Sequence, residues 1–369
     1  MKKLICIGFF ALLLLLPAAS AFAEAEAGAG ERPTMERVLT DESAEEILAL
    51  ADIPGLKHID ATASREYDAL LALREKLPDC DIDWVYEFQG VSYPSDTTEI
   101  KVTDLTGLEE ALRYLPALTD VDLLEAGATL ADLDRFDEIR PDIFWLWEFR
   151  FGIDRIRTDI RVYSSLNGYQ TYYSLDHFYP IVKYCKHLRA LDLGHNSFTD
   201  ISLIGNLEEL EVLILADNFI TDASPIGKLH NLVFLELFMN EKIEDYSFLR
   251  ELTKIKDLNL CYCRTLDSLD FLENMPDLEF AMFKRTAISE EELSYWQEKR
   301  PDAILVFRDG DPESSGSGWR MTGRNKQIRT AFSSWREIVT YEHYNDWTFR
   351  INGGIFPITD FFKEDDPWW

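Results

Sequence analysis

The sequence predicts an α/β fold of one particular kind. This is a right-handed solenoid with a parallel sheet along its concave side, a helical or irregular convex side, and a small helical cap at the C-terminal end. Three observations predict it. A short aliphatic strand pattern recurs from Leu188, Leu210, Leu232, Ile255 and Leu278, at spacings of 22 or 23 residues. An asparagine, and once a cysteine, stands at the same place after each of the first four of these strands. Upstream, a longer unit of strand, amphipathic helix and aromatic strand repeats after 62 or 63 residues. Units of such a period bury an apolar face only by stacking on their neighbours.

Each short unit places aliphatics at its first, fourth and sixth positions: Leu188, Leu191 and Leu193; Leu210, Leu213 and Leu215; Leu232, Leu235 and Leu237. The fifth unit is degenerate, with Ala281 and Phe283. After the strand the chain must turn sharply toward the convex side, which leaves buried backbone groups that the sheet cannot pair. One amide both donates and accepts, so Asn196, Asn218 and Asn240, with Cys263 substituting in the fourth unit, are expected to satisfy those groups as a stacked ladder. The pattern L-x-x-L-x-L-x-x-N/C resembles the leucine-rich repeat family over 188–283. The segments "FTDISLI" and "ITDASPI" that follow two of the asparagines resemble the 22-residue units of bacterial internalin-like proteins. The resemblance implies a binding protein that meets its partner along the concave face, and it carries over no specific ligand.

In the longer units, Leu56, Ile59, Pro78-Asp79 and Trp84 correspond to Leu118, Val121, Pro141-Asp142 and Trp147. Helices are expected over Ser64–Leu77 and Thr129–Arg140. Each is followed by an aromatic strand, alternating Cys80/Ile82/Trp84/Tyr86/Phe88 in one copy and Ile143/Trp145/Trp147/Phe149/Phe151 in the other. The same frame is expected to reopen with "TEIKV" at 98–102 and "TDIRV" at 158–162. The predicted organisation is therefore a signal peptide over 1–23, a flexible acidic segment over 24–35 and divergent long repeats over 36–187. Short repeats follow over 188–307, the last strand lying near Ala303, Leu305 and Phe307. An acidic linker over 308–318 and a helical cap or tail over 319–369 complete the chain.

The leader has two lysines, an apolar run and Ala21 and Ala23 around Phe22, which predicts cleavage after Ala23 and a released, extracellular bacterial protein. With 46% hydrophobic residues the chain can build a large core, and a formal charge of −30 sets it against phosphate backbones and anionic lipid. Nucleic acid is not an expected partner, nor is stable membrane insertion, and the protein is expected as a monomer. Cys80, Cys185 and Cys263 fall at core positions and are expected as free thiols; Cys261 is expected to be accessible.

Catalytic signatures are missing from the pattern. The six histidines stand apart, with no H-E-x-x-H pair, nucleophile elbow, P-loop or dinucleotide turn, and the C-x-C at 261–263 lacks a second ligand pair, so neither a metal nor another cofactor is expected. The cluster "YEHYNDW" at 341–347 is the nearest thing to a catalytic spot. A hydrolase-type enzyme using the C-terminal segment, with the solenoid as a targeting module, is the competing class, and a structural cell-surface component is a third. What the phase does supply is a surface. It sets Val212, Ile214, Phe234, Glu236, Phe238, Met239, Tyr262, Phe280 and Met282 outward on or beside the concave sheet, and a strip so apolar should be covered. A protein ligand could cover it, of host or self origin. So could residues 319–350, where six basic side chains outnumber three acidic ones and Ile328, Phe332, Trp335 and Val339 share a helical face.

Overall fold

The computed structural model describes residues 35–151, 154–165, 179–311, 325, 328, 332, 349–351 and 354–356. The leader, the acidic segment up to residue 34, most of the linker, and the tail positions Trp335, Val339 and 341–347 lie outside the described residues. The chain divides into two compact units, 1–82 and 83–369.

In the first unit, β1 (Met35–Val38) pairs in parallel with β2 (Leu56–Asp60), and β3 (Asp81–Asp83) completes the sheet in the order β1-β2-β3. Helix α1 (Ala44–Ala49) is started by a capping box in which Ser43 and Glu46 satisfy one another's backbone N–H groups. The hydrogen bonds from Ser43 hold the Glu46 carboxyl below its ordinary range. Helix α2 (Tyr67–Lys76) falls inside the predicted span and buries Ala69, Leu70 and Leu73.

The second unit opens with a hairpin, β4 (Val85–Phe88) with β5 (Val91–Pro94). A parallel sheet follows, β6 (Glu99–Lys101), β7 (Asp120–Asp122) and β8 (Phe144–Leu146), with α3 (Leu108–Tyr114) and α4 (Leu130–Ile139) in its crossovers. A second hairpin pairs β9 (Glu148–Phe151) with β10 (Asp154–Arg157). Each predicted aromatic strand is thus two strands that part at a tryptophan. Trp84 N donates to Ser95 Oγ at 3.3 Å and Trp147 N donates to Thr158 Oγ1 at 2.9 Å, while Ser95 N and Thr158 N return bonds to the tryptophan carbonyls. Thr158 is therefore the counterpart of Ser95. This displaces the expected frame at 158–162, and the next strand runs three residues later, at 162–164 where that frame gives 159–161.

That strand is β11 (Val162–Ser164), the edge of a seven-stranded parallel sheet continued by β12 (Ala190–Asp192), β13 (Val212–Ile214), β14 (Phe234–Glu236), β15 (Asp257–Asn259), β16 (Phe280–Met282) and β17 (Ile304–Val306). The short helix α5 (Tyr179–Val182) precedes β12, and α6 (Glu290–Lys299) fills the last crossover. Between β12 and β16 the crossovers shrink to 3-10 turns at Ser202–Asn206, Ser224–Lys228, Ser247–Glu251 and Asp270–Asn274, which pack on one another as the strands do. A Cβ on Gly205 would lie 3.1 Å from the Pro225 carbonyl oxygen, and one on Gly227 3.2 Å from Phe248 Cβ, so glycine sets how closely these turns stack. The aliphatics at repeat positions one, four and six fill the space between the two walls and are buried throughout.

Candidate functional site

The strand registers align two rows on the face of the large sheet that turns away from the 3-10 wall, because alternate side chains of a strand point to opposite faces. One row is Val162, Ala190, Val212, Phe234, Asp257, Phe280 and Ile304; the other is Ser164, Asp192, Ile214, Glu236, Asn259, Met282 and Val306. Beside them, His195, Asp217, Met239, Tyr262 and Arg285 occupy the eighth position of successive coils with φ between 56° and 63°. This left-handed turn aims each N–H along the stack. His195 N donates to Ala216 O, Asp217 N to Phe238 O, Met239 N to Cys261 O and Tyr262 N to Lys284 O.

Of the nine residues the sequence sets outward, Phe238, Met239 and Tyr262 form a half-buried rim, with Phe238 and Tyr262 rings edge-on at 5.4 Å. Val212, Ile214, Phe234, Glu236, Phe280 and Met282 lie in the two rows, and all six are buried, Phe234 with none of its surface in solvent. The phase is as expected and the exposure is not. Outward positions of the smaller sheet make the contrast: Glu99, Lys101 and Asp120 are exposed, and Asp122, Phe144 and Leu146 are half-buried. A sheet face with no second layer leaves its side chains in that condition, so rows that are buried from β11 to β16 have a cover.

Three acidic or amide residues of the rows went unrecognised in the sequence, Asp192, Asp257 and Asn259, although the repeat phase alone identifies them as third- and fifth-position residues. Being polar, they are not singled out by an apolar pattern. All three are buried, as is Glu236. Ser164 Oγ donates to Asp192 Oδ2 at 3.1 Å and Gly194 N to Asp192 Oδ1 at 3.0 Å; Asn259 Nδ2 donates to Glu236 Oε1 at 3.1 Å and receives Cys261 N on Oδ1 at 3.1 Å. Buried carboxylates persist only with such partners.

Cys261 corrects an expectation. It is 2% exposed, not accessible, and burial pushes its thiol up to about 11. It sits at the seventh position, on the same side as the covered rows. Cys80, Cys185 and Cys263 are buried too, and all four are free thiols. Cys263 belongs to the ladder, with burial first among the causes that raise it to about 12.

The ladder holds the coils in register beneath the face. Asn218 Nδ2 donates to its own Leu215 O and to Leu193 O of the preceding coil, each at 3.0 Å, while its Oδ1 accepts from Phe198 N at 3.1 Å. Asn240 Nδ2 repeats the pattern with Leu237 O and Leu215 O at 3.0 and 2.8 Å, and Cys263 Sγ reaches Leu237 O at 3.4 Å. Asn196, first in the series, donates to Leu193 O, Gly194 O and Ser165 Oγ.

Among the described residues no group of three or more histidine, cysteine or acidic side chains could hold a metal ion, and no helix is long and apolar enough to cross a membrane.

A family model described as leucine rich repeats in two copies matches residues 186–228 and 208–251. No curated protein matches the sequence. Similar solved structures include an internalin C2 from Listeria monocytogenes, at 22% identity over 57% of this chain and 78% of that one, with a TM-score of 0.32. An internalin from the same organism gives 15% identity over 70% and 63%, with a TM-score of 0.30. A leucine-rich repeat protein from Leptospira interrogans gives 12% identity over 70% and 74%, with a TM-score of 0.25. The family match falls on β12–β14 and the coils that carry the asparagine ladder, so this part of the chain consists of leucine-rich repeats, and the seven parallel strands β11–β17 form the sheet of a leucine-rich-repeat solenoid.

Proposed function

We propose that the protein is an exported, non-catalytic recognition module whose protein ligand engages the face of β12–β16 and its rim at Phe238, Met239 and Tyr262. One observation carries this: the outward rows of that sheet are buried, whereas the equivalent positions of β6–β8 are exposed or half-buried. A row of Val212, Phe234 and Phe280 beside Ile214 and Met282, with Glu236 and Asp257 among them, is the composition of an interface core, apolar and aromatic with a few satisfied polar groups. Recognition by such a face selects a polypeptide surface that is apolar and basic. Export follows from the leader, with cleavage after Ala23, and amino-terminal sequencing of secreted protein would return Glu24 first.

The test is site-specific photo-crosslinking in the full chain. A photoreactive residue at Tyr262, on the rim, should capture a discrete protein from the cell's own surface or its surroundings, and one at Tyr295, exposed on α6, should not. Capture should weaken in the variant carrying Phe234→Asp and Phe280→Asp. Equal capture from both positions, or capture indifferent to the two aspartates, would remove the concave face from consideration.

A further inference from the structure

We propose that the cover on the concave sheet is the protein's own C-terminal segment, docked through a helix that carries Asn325, Ile328 and Phe332, so that the ligand face is closed in cis. The inference deepens the recognition proposal by stating what a partner must displace.

Asn325, Ile328 and Phe332, three of the tail residues that the structure describes, are helical and 1%, 2% and 4% exposed respectively. Their spacing of three and four residues puts them on one face of a helix. An isolated helix trailing from a solenoid has no means of burying such a face, so it lies against the body of its own compact unit, 83–369. Two places in that unit could receive it, the open end at β17 or the sheet face. At the end strand the two rows differ: Ile304 is 47% exposed, whereas Val306 is fully buried. Burial also reaches the middle of the sheet, where Phe234, three strands in from β17, has none of its surface in solvent. A segment confined to the end would leave Phe234 open, whereas one lying across the face covers it.

Chain length permits it. The 13 residues of 312–324 can span roughly 45 Å when extended, and seven strands at about 4.8 Å spacing are only about 29 Å across. Charge agrees as well. The covered rows hold Asp192, Glu236 and Asp257, and the sequence intersperses the three docking residues with Arg324, Lys326 and Arg329. Burying carboxylates far from any cation is costly, and a basic segment with an apolar stripe supplies countercharge together with an apolar contact.

Two experiments on the full chain decide it, and neither uses a partner, so they fail or succeed independently of the recognition proposal. In the first, a photoreactive residue replaces Ile328 and the crosslinked peptide is mapped. Crosslinks to the peptides of β13–β16 are expected. Crosslinks confined to α6 and β17, or to a second copy of the chain, would overturn the proposal. In the second, Ile328→Asp with Phe332→Asp should release the segment and raise the alkylation rate of Cys261, on the covered side, at least tenfold, leaving Cys263 in the ladder unreactive. An unchanged Cys261 rate would overturn the proposal. If Cys263 reacts alongside Cys261 the variant has unfolded, and the crosslink map of the folded chain then decides alone.

Discussion

Arg140 and Arg300 make the same three contacts from different coils. Arg140 Nη1 donates to Leu112 O at 3.0 Å and its Nη2 to Pro116 O and Leu118 O; Arg300 Nη1 donates to Leu272 O at 3.0 Å and its Nη2 to Pro276 O and Leu278 O. The sequence offsets are 28, 24 and 22 residues in both cases. Each arginine ends a convex helix, α4 or α6, and each precedes a Pro-Asp pair. The planar fork ties that helix to carbonyls of the previous coil, where a lysine offers a single point of attachment.

Replacing Arg140 with lysine should therefore destabilise the second unit by about 1–3 kcal/mol, since carbonyls that lose a charged donor are left without it. Urea unfolding monitored by tryptophan fluorescence would show the shift, and Arg300→Lys should behave in the same way.

The ladder makes a graded prediction. Asn218 holds three carbonyls and one N–H, and Asn218→Ala should cost about 2–4 kcal/mol, because several buried groups lose their partner at once. Asn240 Oδ1 has no hydrogen-bond partner and Cys263 fills the equivalent place one coil later, so Asn240→Cys should cost less than Asn240→Ala. Denaturation midpoints of the three variants check the order.

Thr158 is fully buried, accepts from Trp147 N and donates to Trp145 O at 2.6 Å. Thr158→Val keeps the shape and removes both bonds, with an expected loss of about 1–3 kcal/mol. Thr158→Ser should recover most of it, as the natural Ser95 at the equivalent point of the other hairpin indicates. Thermal melts of the two variants distinguish lost bonding from lost packing.

Stability should fall at alkaline pH. Burial raises the Cys261 thiol to about 11 and, as the first of its causes, the Cys263 thiol to about 12, above the ordinary value of about 8.5. The folded state favours the protonated thiols, so their contribution is complete below about pH 8.5 and is lost as pH rises through about 11 and then about 12. Urea midpoints measured between pH 8 and pH 11 should decline, and less steeply in Cys261→Ala.

The sequence by itself determined the period, the strands and the ladder. Leu188, Leu210 and Leu232 open units whose contacts reach only the next coil, so a local pattern is sufficient to specify them. Two of the helix spans, α2 and α4, were legible for the same reason, since one-sided apolar spacing and, for α4, the cap at Thr129 are written within a dozen residues. Tertiary structure alone decided three things. The aromatic strands break at Trp84 and Trp147, because Ser95 and Thr158, 11 residues on, fold back onto the tryptophan backbone. Arg140 and Arg300 became clamps only when carbonyls more than 20 residues away arrived beside them. The concave rows, whose phase the pattern already placed, turned from a surface into an interior, because burial of Phe234 or Cys261 depends on what lies across the sheet. No repeat encodes its own cover: the period acts between neighbouring coils, whereas a cover needs chain from outside the repeats.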